Sequence, residues 1–160
     1  MTIAIAVDDP ESPDVIDLIA EHLAEMHAVS PAESVHALGP GELAGPAITF
    51  WSPRAADGTL LGMAAMKDLG DGTAEIKSMR TAMAARGIGL GRRLLEHAIE
   101  QATESGCEAI LLETGSEPHF EAARGLYLAR GFTPCPPFAE YTDDPSSVYL
   151  RLEVVAEAPT

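Results

Sequence analysis

The stretch RGIGLGRRLL brings Arg86, Gly87, Gly89, Gly91, Arg92 and Arg93 together within ten residues. That combination is suited to holding an anion. Glycines lack a Cβ, so a charged group can approach the main chain closely. The residues after Gly91 turn apolar at helical spacing, so the stretch forms the mouth of a helix. Unpaired N–H groups and the positive end of the helix dipole gather there. Phosphate is the usual guest of such a junction. The chain has only two lysines, Lys67 and Lys77, and a net charge of -15, so this group of cations stands out against the rest of the sequence.

Two common phosphate-binding patterns fail here. A Walker loop needs a lysine after its last glycine, and none is present. A dinucleotide fingerprint needs GxGxxG; counted from Gly87 its third glycine falls on Arg92, and from Gly89 on Leu94. One feature does fit a dinucleotide site. Glu113 ends an apolar run about twenty residues on, where a ribose-binding acid would lie. The strand before the loop is polar and comes late in the chain, unlike the first strand of that fold.

The elements that must position this loop can be read along the chain. Thr2 to Val7 reads as a strand. Ser12 and Pro13 read as an N-cap and first turn, followed by Val15, Ile19, Leu23 and Met26 at helical spacing. A short helix is expected around Ala32 to Leu38, then a loop. AITFW is a strand, SPRAADG a hairpin loop, TLLGMAAMKDL a strand, GDG a turn and TAEIKSMRT a third strand of an antiparallel meander. Leu90, Leu94, Leu95, Ala98, Ile99 and Ala102 line one face of a helix that starts near Gly89, with Gly106 as its C-cap. AILLET is a strand buried on both faces. Ser116 and Pro118 are expected to open a helix carrying Phe120, Ala123 and Tyr127 on one face, closed by Gly131. Ser147 to Val154 alternates as a last strand. This order predicts a mixed α/β (α+β) domain, mainly antiparallel, with one βαβ unit in its second half.

Composition narrows the partners. With 160 residues and 46% hydrophobic content, a single domain over residues 1–155 and a frayed tail at 156–160 are expected. A pI near 4.5 argues against nucleic acid or an anionic membrane surface. No stretch reaches the length of a membrane helix, and the N-terminus lacks the pattern of a signal peptide, so a cytoplasmic location is expected. Cys107 and Cys135 form neither a disulfide framework nor a zinc pattern, and His22 and His27 do not share a helix face, so no metal site is expected. Phe50 and Trp51 read as core or pocket wall.

A third pattern fits the glycine loop residue by residue. The R/Q-x-x-G-x-G/A motif of the GNAT superfamily of acyl-CoA N-acyltransferases is filled by Arg86, Gly89 and Gly91. The element order matches that family over nearly the whole chain. AARGLYLARGF resembles the family pattern A-x-x-L-Y-x-x-x-G-F through Ala123, Leu126, Tyr127, Gly131 and Phe132. SPAESVHAL, EIKSMRT, LETGS and the PFAEY to DPSSV ending resemble a YsnE-type bacterial branch. The resemblance implies a sheet of about six to seven strands flanked by helices.

It also implies roles. The backbone of Met79, Arg80 and Thr81 would pair with the pantetheine arm of acetyl-CoA. Arg86 and the amides of Gly87, Ile88, Gly89, Leu90, Gly91 and Arg92 would hold its pyrophosphate, with Gly87 in a variable slot. Tyr127 matches the tyrosine that protonates the departing thiolate; otherwise it is a core aromatic. Glu75 stands eleven positions before Arg86, where some members carry a catalytic carboxylate that takes the proton of an incoming ammonium. Glu113 is its rival as base. Phe120 departs from the pattern, because many members have a cofactor-contacting Asn there.

The activity implied is acetyl-CoA-dependent N-acetylation of a small primary amine by direct attack. Lys77 and Arg80 beside the acetyl position, with His36 and His119 at the rim, would suit an acceptor bearing a carboxylate, such as an amino acid. A CoA-binding sensor without turnover, a peptide or protein N-acetyltransferase and a dinucleotide enzyme remain as alternatives. Homodimers are common in the family, and no feature of this sequence argues for one.

Overall fold

The structure, a computed structural model, describes residues 2–154; the expected tail at 156–160 lies outside them. Seven strands form one sheet in the order β1-β2-β3-β4-β5-β7-β6. They are β1 (Ile3–Val7), β2 (Ile48–Ala55), β3 (Gly62–Asp68), β4 (Thr73–Thr81), β5 (Ala109–Gly115), β6 (Thr133–Pro134) and β7 (Ser147–Glu153). Every pairing is antiparallel except β4 with β5, which are parallel and joined through helix α3 (Leu90–Glu104). This is the expected mixed sheet with its single βαβ unit.

The helices divide between the two faces. The predicted apolar stripe of α3 is entirely buried and packs on Trp51, Ala64, Met66, Ile76, Ile110 and Leu112. Helix α4 (Glu121–Arg130) adds Tyr127 to the same layer. On the opposite face, α1 (Pro13–Val29) sets Val15, Leu18 and Ile19 against Phe50, Met63 and Ala65. The alternation of Met63 and Ala65 with Ala64 and Met66 across β3 is the period of two that serves both layers. Among the described residues no helix is long and apolar enough to cross a membrane.

Four local expectations are corrected. The helix expected at Ala32 to Leu38 contracts to a 3-10 turn at Ala32–Ser34, because Val35 turns extended and Ser34 bonds Asp144 instead. The loop after it contains a short helix, α2 (Pro40–Leu43), started by proline and by the Glu42 carboxylate, which accepts from the Gly39 amide at 3.2 Å. Strand β2 continues through Ser52, Pro53 and Arg54, where a hairpin loop was expected, because β1 supplies a partner strand. Regular pairing of β2 with β3 stops at Trp51, which leaves room for a proline. Ser116 does not cap α4. A 3-10 turn at Pro118–Phe120 intervenes, Phe120 is the N-cap, and the Ser116 hydroxyl donates to the Pro145 carbonyl.

Candidate active site

The sheet parts in its middle. Strands β4 and β5 are paired from Thr73–Ala109 to Ile76–Leu112 and no further. Beyond that point β5 stays with β7 to Gly115, while β4 stays with β3 to Thr81. A bulge accompanies the split: β3 advances from Met63 to Ala65 while β4 runs from Arg80 back to Lys77, one residue more. Ser78 sits at the bulge with φ 53°, unusual for a residue with a side chain. A cavity of about 110 Å³ opens at the mouth of the split, bounded by β4, β5, the end of α1, the 30–37 segment, Tyr127 and Tyr141.

Two carboxyls reach this mouth from the α1 face. Ala74, Ile76, Ile110 and Leu112 fill the α3 side, so Glu75, Lys77 and Glu113 point the other way. Glu75 Oε2 accepts from Lys77 Nζ at 3.0 Å and from the Tyr141 hydroxyl at 2.6 Å. Glu113 accepts from the Ser147 hydroxyl at 2.7 Å. Burial pushes the Glu113 carboxyl up to about 7, against the opposing pull of the Ser147 hydrogen bond and Lys77.

Tyr127 approaches from the other face. It is 6% exposed, stands edge-on to Phe132, and its phenol is pushed up to about 12 by burial and then by Glu113. Phe120 lines the same cavity, and its ring lies so close over Gly115 that a side chain there would collide with it.

The glycine loop lies on the exposed rim. Gly87 and Gly89 have φ of 84° and 77°, a region that side chains disfavour, and a Cβ on either would meet open space. At Gly87 the left-handed backbone suits a glycine that eases the turn. Gly91 sits inside the first turn of α3 in ordinary geometry. The first backbone bond of that turn runs from the Arg93 amide to the Gly89 carbonyl at 3.2 Å. Among the described residues, nothing accepts from the amides of Gly87 to Arg92. Arg86 and Arg92 are exposed beside them, while Arg93 donates to the Ile3 carbonyl at 3.3 Å.

The other expected residues divide. Met79 lines the cavity. His36 also lines it, edge-on to Tyr141 at 4.9 Å. Arg80 is turned by the bulge toward α1, where its guanidinium meets Glu25 and, at 3.0 Å, Glu21. That contact holds the Glu25 carboxyl below its usual range. His119 faces Glu25 at 3.6 Å, away from the carboxyls of the cavity. The sequence reading missed Tyr141, Ser34 and His22. Tyr141 lies in the 135–146 connection, whose composition carries no periodic signal. Ser34 binds Asp144 of that connection at 2.5 Å, tying it to the segment that follows α1. His22 was weighed only as a metal ligand; it lines the cavity and is held neutral, near 4, by burial and then by Arg80.

The profile of the acetyltransferase (GNAT) family matches residues 15–132. The uncharacterised N-acetyltransferase YsnE of Bacillus subtilis is 47% identical, over 91% of this chain and 96% of its own length. A protein named IAA acetyltransferase in Azospirillum brasilense is 38% identical, over 93% of this chain and 96% of its own. Among solved structures, a Klebsiella pneumoniae protein assigned as an acyl-CoA N-acyltransferase superposes with a TM-score of 0.78 at 27% identity, covering 96% of this chain and 98% of that one. A Bacillus subtilis acetyltransferase in complex with CoA shares the fold, with a TM-score of 0.71 at 18% identity, over 96% of this chain and all of that one. A parted sheet with an open amide cradle beside it, and sequence kinship over most of the chain, make this protein a member of the GNAT acetyltransferase family.

Proposed function

We propose that this protein is an acetyl-CoA-dependent N-acetyltransferase acting on the primary amine of a small molecule by direct attack. The observation that carries this reading is the split between β4 and β5, which a base reaches from one face and an acid from the other.

The residues present suit the cosubstrate. The amides of Gly87 to Arg92 have no protein acceptor among the described residues, and the space over Gly87 and Gly89 is open, as a pyrophosphate cradle requires. Among the described residues, the main chain of Met79 to Thr81 has no strand partner on the β5 side, as pairing with a pantetheine arm requires. Acetyl-CoA would supply a thioester whose C–S bond breaks as a C–N bond forms; an ammonium acceptor loses one proton to a base before attack and a second from nitrogen afterwards, the sulfur gains one, and one is released overall.

Glu113 suits the first proton. A carboxyl near 7 is ionised in a useful fraction at neutral pH and takes a proton readily from an ammonium. Glu75, already holding Lys77 and Tyr141 on one oxygen, is better suited to shaping the pocket than to exchanging protons. Tyr127 suits the second proton: its phenol is firmly protonated and lines the cavity. Neither cysteine lines the cavity, which agrees with attack without a covalent enzyme intermediate.

The test is a melting series with acetyl-CoA, CoA and NAD, followed by thiol release with an amine panel. Stabilisation by the CoA compounds alone, with release that Tyr127→Phe abolishes, is the expected result. Stabilisation by NAD and not by acetyl-CoA would refute the cosubstrate. Binding without release for any amine would make the protein a CoA sensor.

A further inference from the structure

We infer that the acceptor is a small primary amine on a neutral, apolar body and carries no carboxylate of its own. This rests on the acetyltransferase reading above and names the substrate class of the same cavity.

The charges facing the cavity carry the inference. They are Glu75, Glu113 and Lys77, two carboxyls against one ammonium. Lys77 is already engaged: its Nζ is 3.0 Å from Glu75 Oε2, 3.2 Å from the Tyr141 hydroxyl and 5.6 Å from the centre of the Tyr141 ring. Its side chain is 11% exposed, so little of its charge reaches the cavity uncompensated. Arg80, the other cation of this strand, is committed to Glu21 and Glu25 on α1. Arg124 donates to the carbonyls of Gly115 and Glu117. His22 is neutral, and the His36 ring packs edge-on against Tyr141 at 4.9 Å. Around the cavity, therefore, no lysine or arginine among the described residues is left free for a carboxylate to meet.

Glu113 forms no direct ion pair among the described residues: its hydrogen-bond partner is the Ser147 hydroxyl, and Lys77 acts on it only through space. An incoming ammonium is attracted to Glu113, whereas a second carboxylate beside Glu75 and Glu113 is repelled in a partly dry site. The rest of the wall carries no charge: Met26, Val35, Phe120 and the Tyr141 ring are apolar surface. Ser78 Oγ and His22 Nδ1, the buried polar atoms there without a partner, are neutral. The wall matches an apolar or aromatic body.

The test is a matched set of acceptors with the wild-type protein and acetyl-CoA at pH 8: 2-phenylethylamine, L-phenylalanine and L-phenylalaninamide. The three share a ring and a primary amine. The acid adds a carboxylate, and the amide keeps its bulk without its charge. We expect kcat/KM for 2-phenylethylamine to exceed that for phenylalanine by about tenfold or more, with the amide recovering most of the loss. In Glu75→Gln, which releases Lys77, the ratio of amine to acid should fall several-fold. Phenylalanine turned over as well as 2-phenylethylamine overturns the inference, as does an amide as poor as the acid, or a ratio unmoved in Glu75→Gln. A protein stabilised by acetyl-CoA that acetylates amino acids but none of the neutral-bodied amines overturns this inference and leaves the acetyltransferase reading standing. A protein that acetyl-CoA does not stabilise overturns both.

Discussion

The Tyr141 hydroxyl donates to Glu75 Oε2 at 2.6 Å across 66 residues of chain. The same oxygen accepts from Lys77, so the 135–146 connection, the middle of β4 and the cavity wall are held by one carboxylate. Tyr141→Phe removes one donor from that carboxylate and leaves the amide cradle untouched. A hydrogen bond to a charged group contributes roughly 1.5–3 kcal/mol, so kcat/KM for the acceptor should fall about tenfold or more. Stabilisation by acetyl-CoA should be unchanged. Steady-state kinetics beside a melting curve checks both, and a variant that loses cofactor binding instead would contradict this placement.

Glu113 gives a pH signature with a defined sign. Its carboxyl holds a proton up to about 7 in the folded protein and up to about 4.5 in the unfolded chain. Its contribution to stability is therefore full below 4.5 and is lost as pH rises through about 7. Glu113→Gln should raise the Tm at pH 8 and leave it unchanged at pH 4. The base must be ionised to work, so wild-type kcat/KM should climb with pH through about 7, and the variant should lose about a hundredfold or more. A flat wild-type profile across that range would assign the proton to another group.

Tyr127 is 6% exposed and lines the cavity, and its ring rather than its hydroxyl packs in the core beside Phe132, so the fold gains little from that oxygen. Tyr127→Phe should melt at the same temperature, bind acetyl-CoA as before and lose kcat by about a hundredfold or more. An unaltered rate of thiol release would return Tyr127 to the core as an ordinary aromatic.

The three glycines of the loop should separate by experiment. Gly87→Ala and Gly89→Ala force a side chain into a left-handed backbone, at a cost of about 1–2 kcal/mol each. Gly91→Ala has an ordinary backbone, and its new Cβ would sit 3.6 Å from Leu126, a normal contact. Alanine favours a helix over glycine, so this variant should melt at the same temperature or higher while binding acetyl-CoA more weakly. Calorimetric titration with a parallel melt distinguishes the two effects. Equal destabilisation by all three substitutions would mean that Gly91 serves the fold.

Whatever depends on short-range pattern was legible in the sequence. The apolar stripe of α3 and the glycine cradle before it were read directly, because helical spacing and left-handed turns are written in neighbouring residues. The direction of Arg80 was not. The extra residue at Ser78 reverses the alternation of β4, so Arg80 joins the face of Glu75 and Lys77 and meets α1, while Met79 joins the α3 layer. Nothing in EIKSMRT announces that reversal. Tyr141 and Ser34 were missed for a related reason: their partners, Glu75 and Asp144, are 66 and 110 residues away. The continuation of β2 through Pro53 likewise depended on a partner strand from the start of the chain.

A sheet that parts between β4 and β5 is one strand short. Among the described residues, main-chain donors and acceptors along Lys77 to Thr81 have no strand partner on that side, and such groups seek partners wherever they lie. A ligand that completes the ladder binds the folded chain and not the unfolded one. At a hundred times its Kd it adds about 2.7 kcal/mol to the free energy of unfolding. On the proposed reading that ligand is acetyl-CoA, so the resistance of this protein to heat should rise with the concentration of its acyl donor.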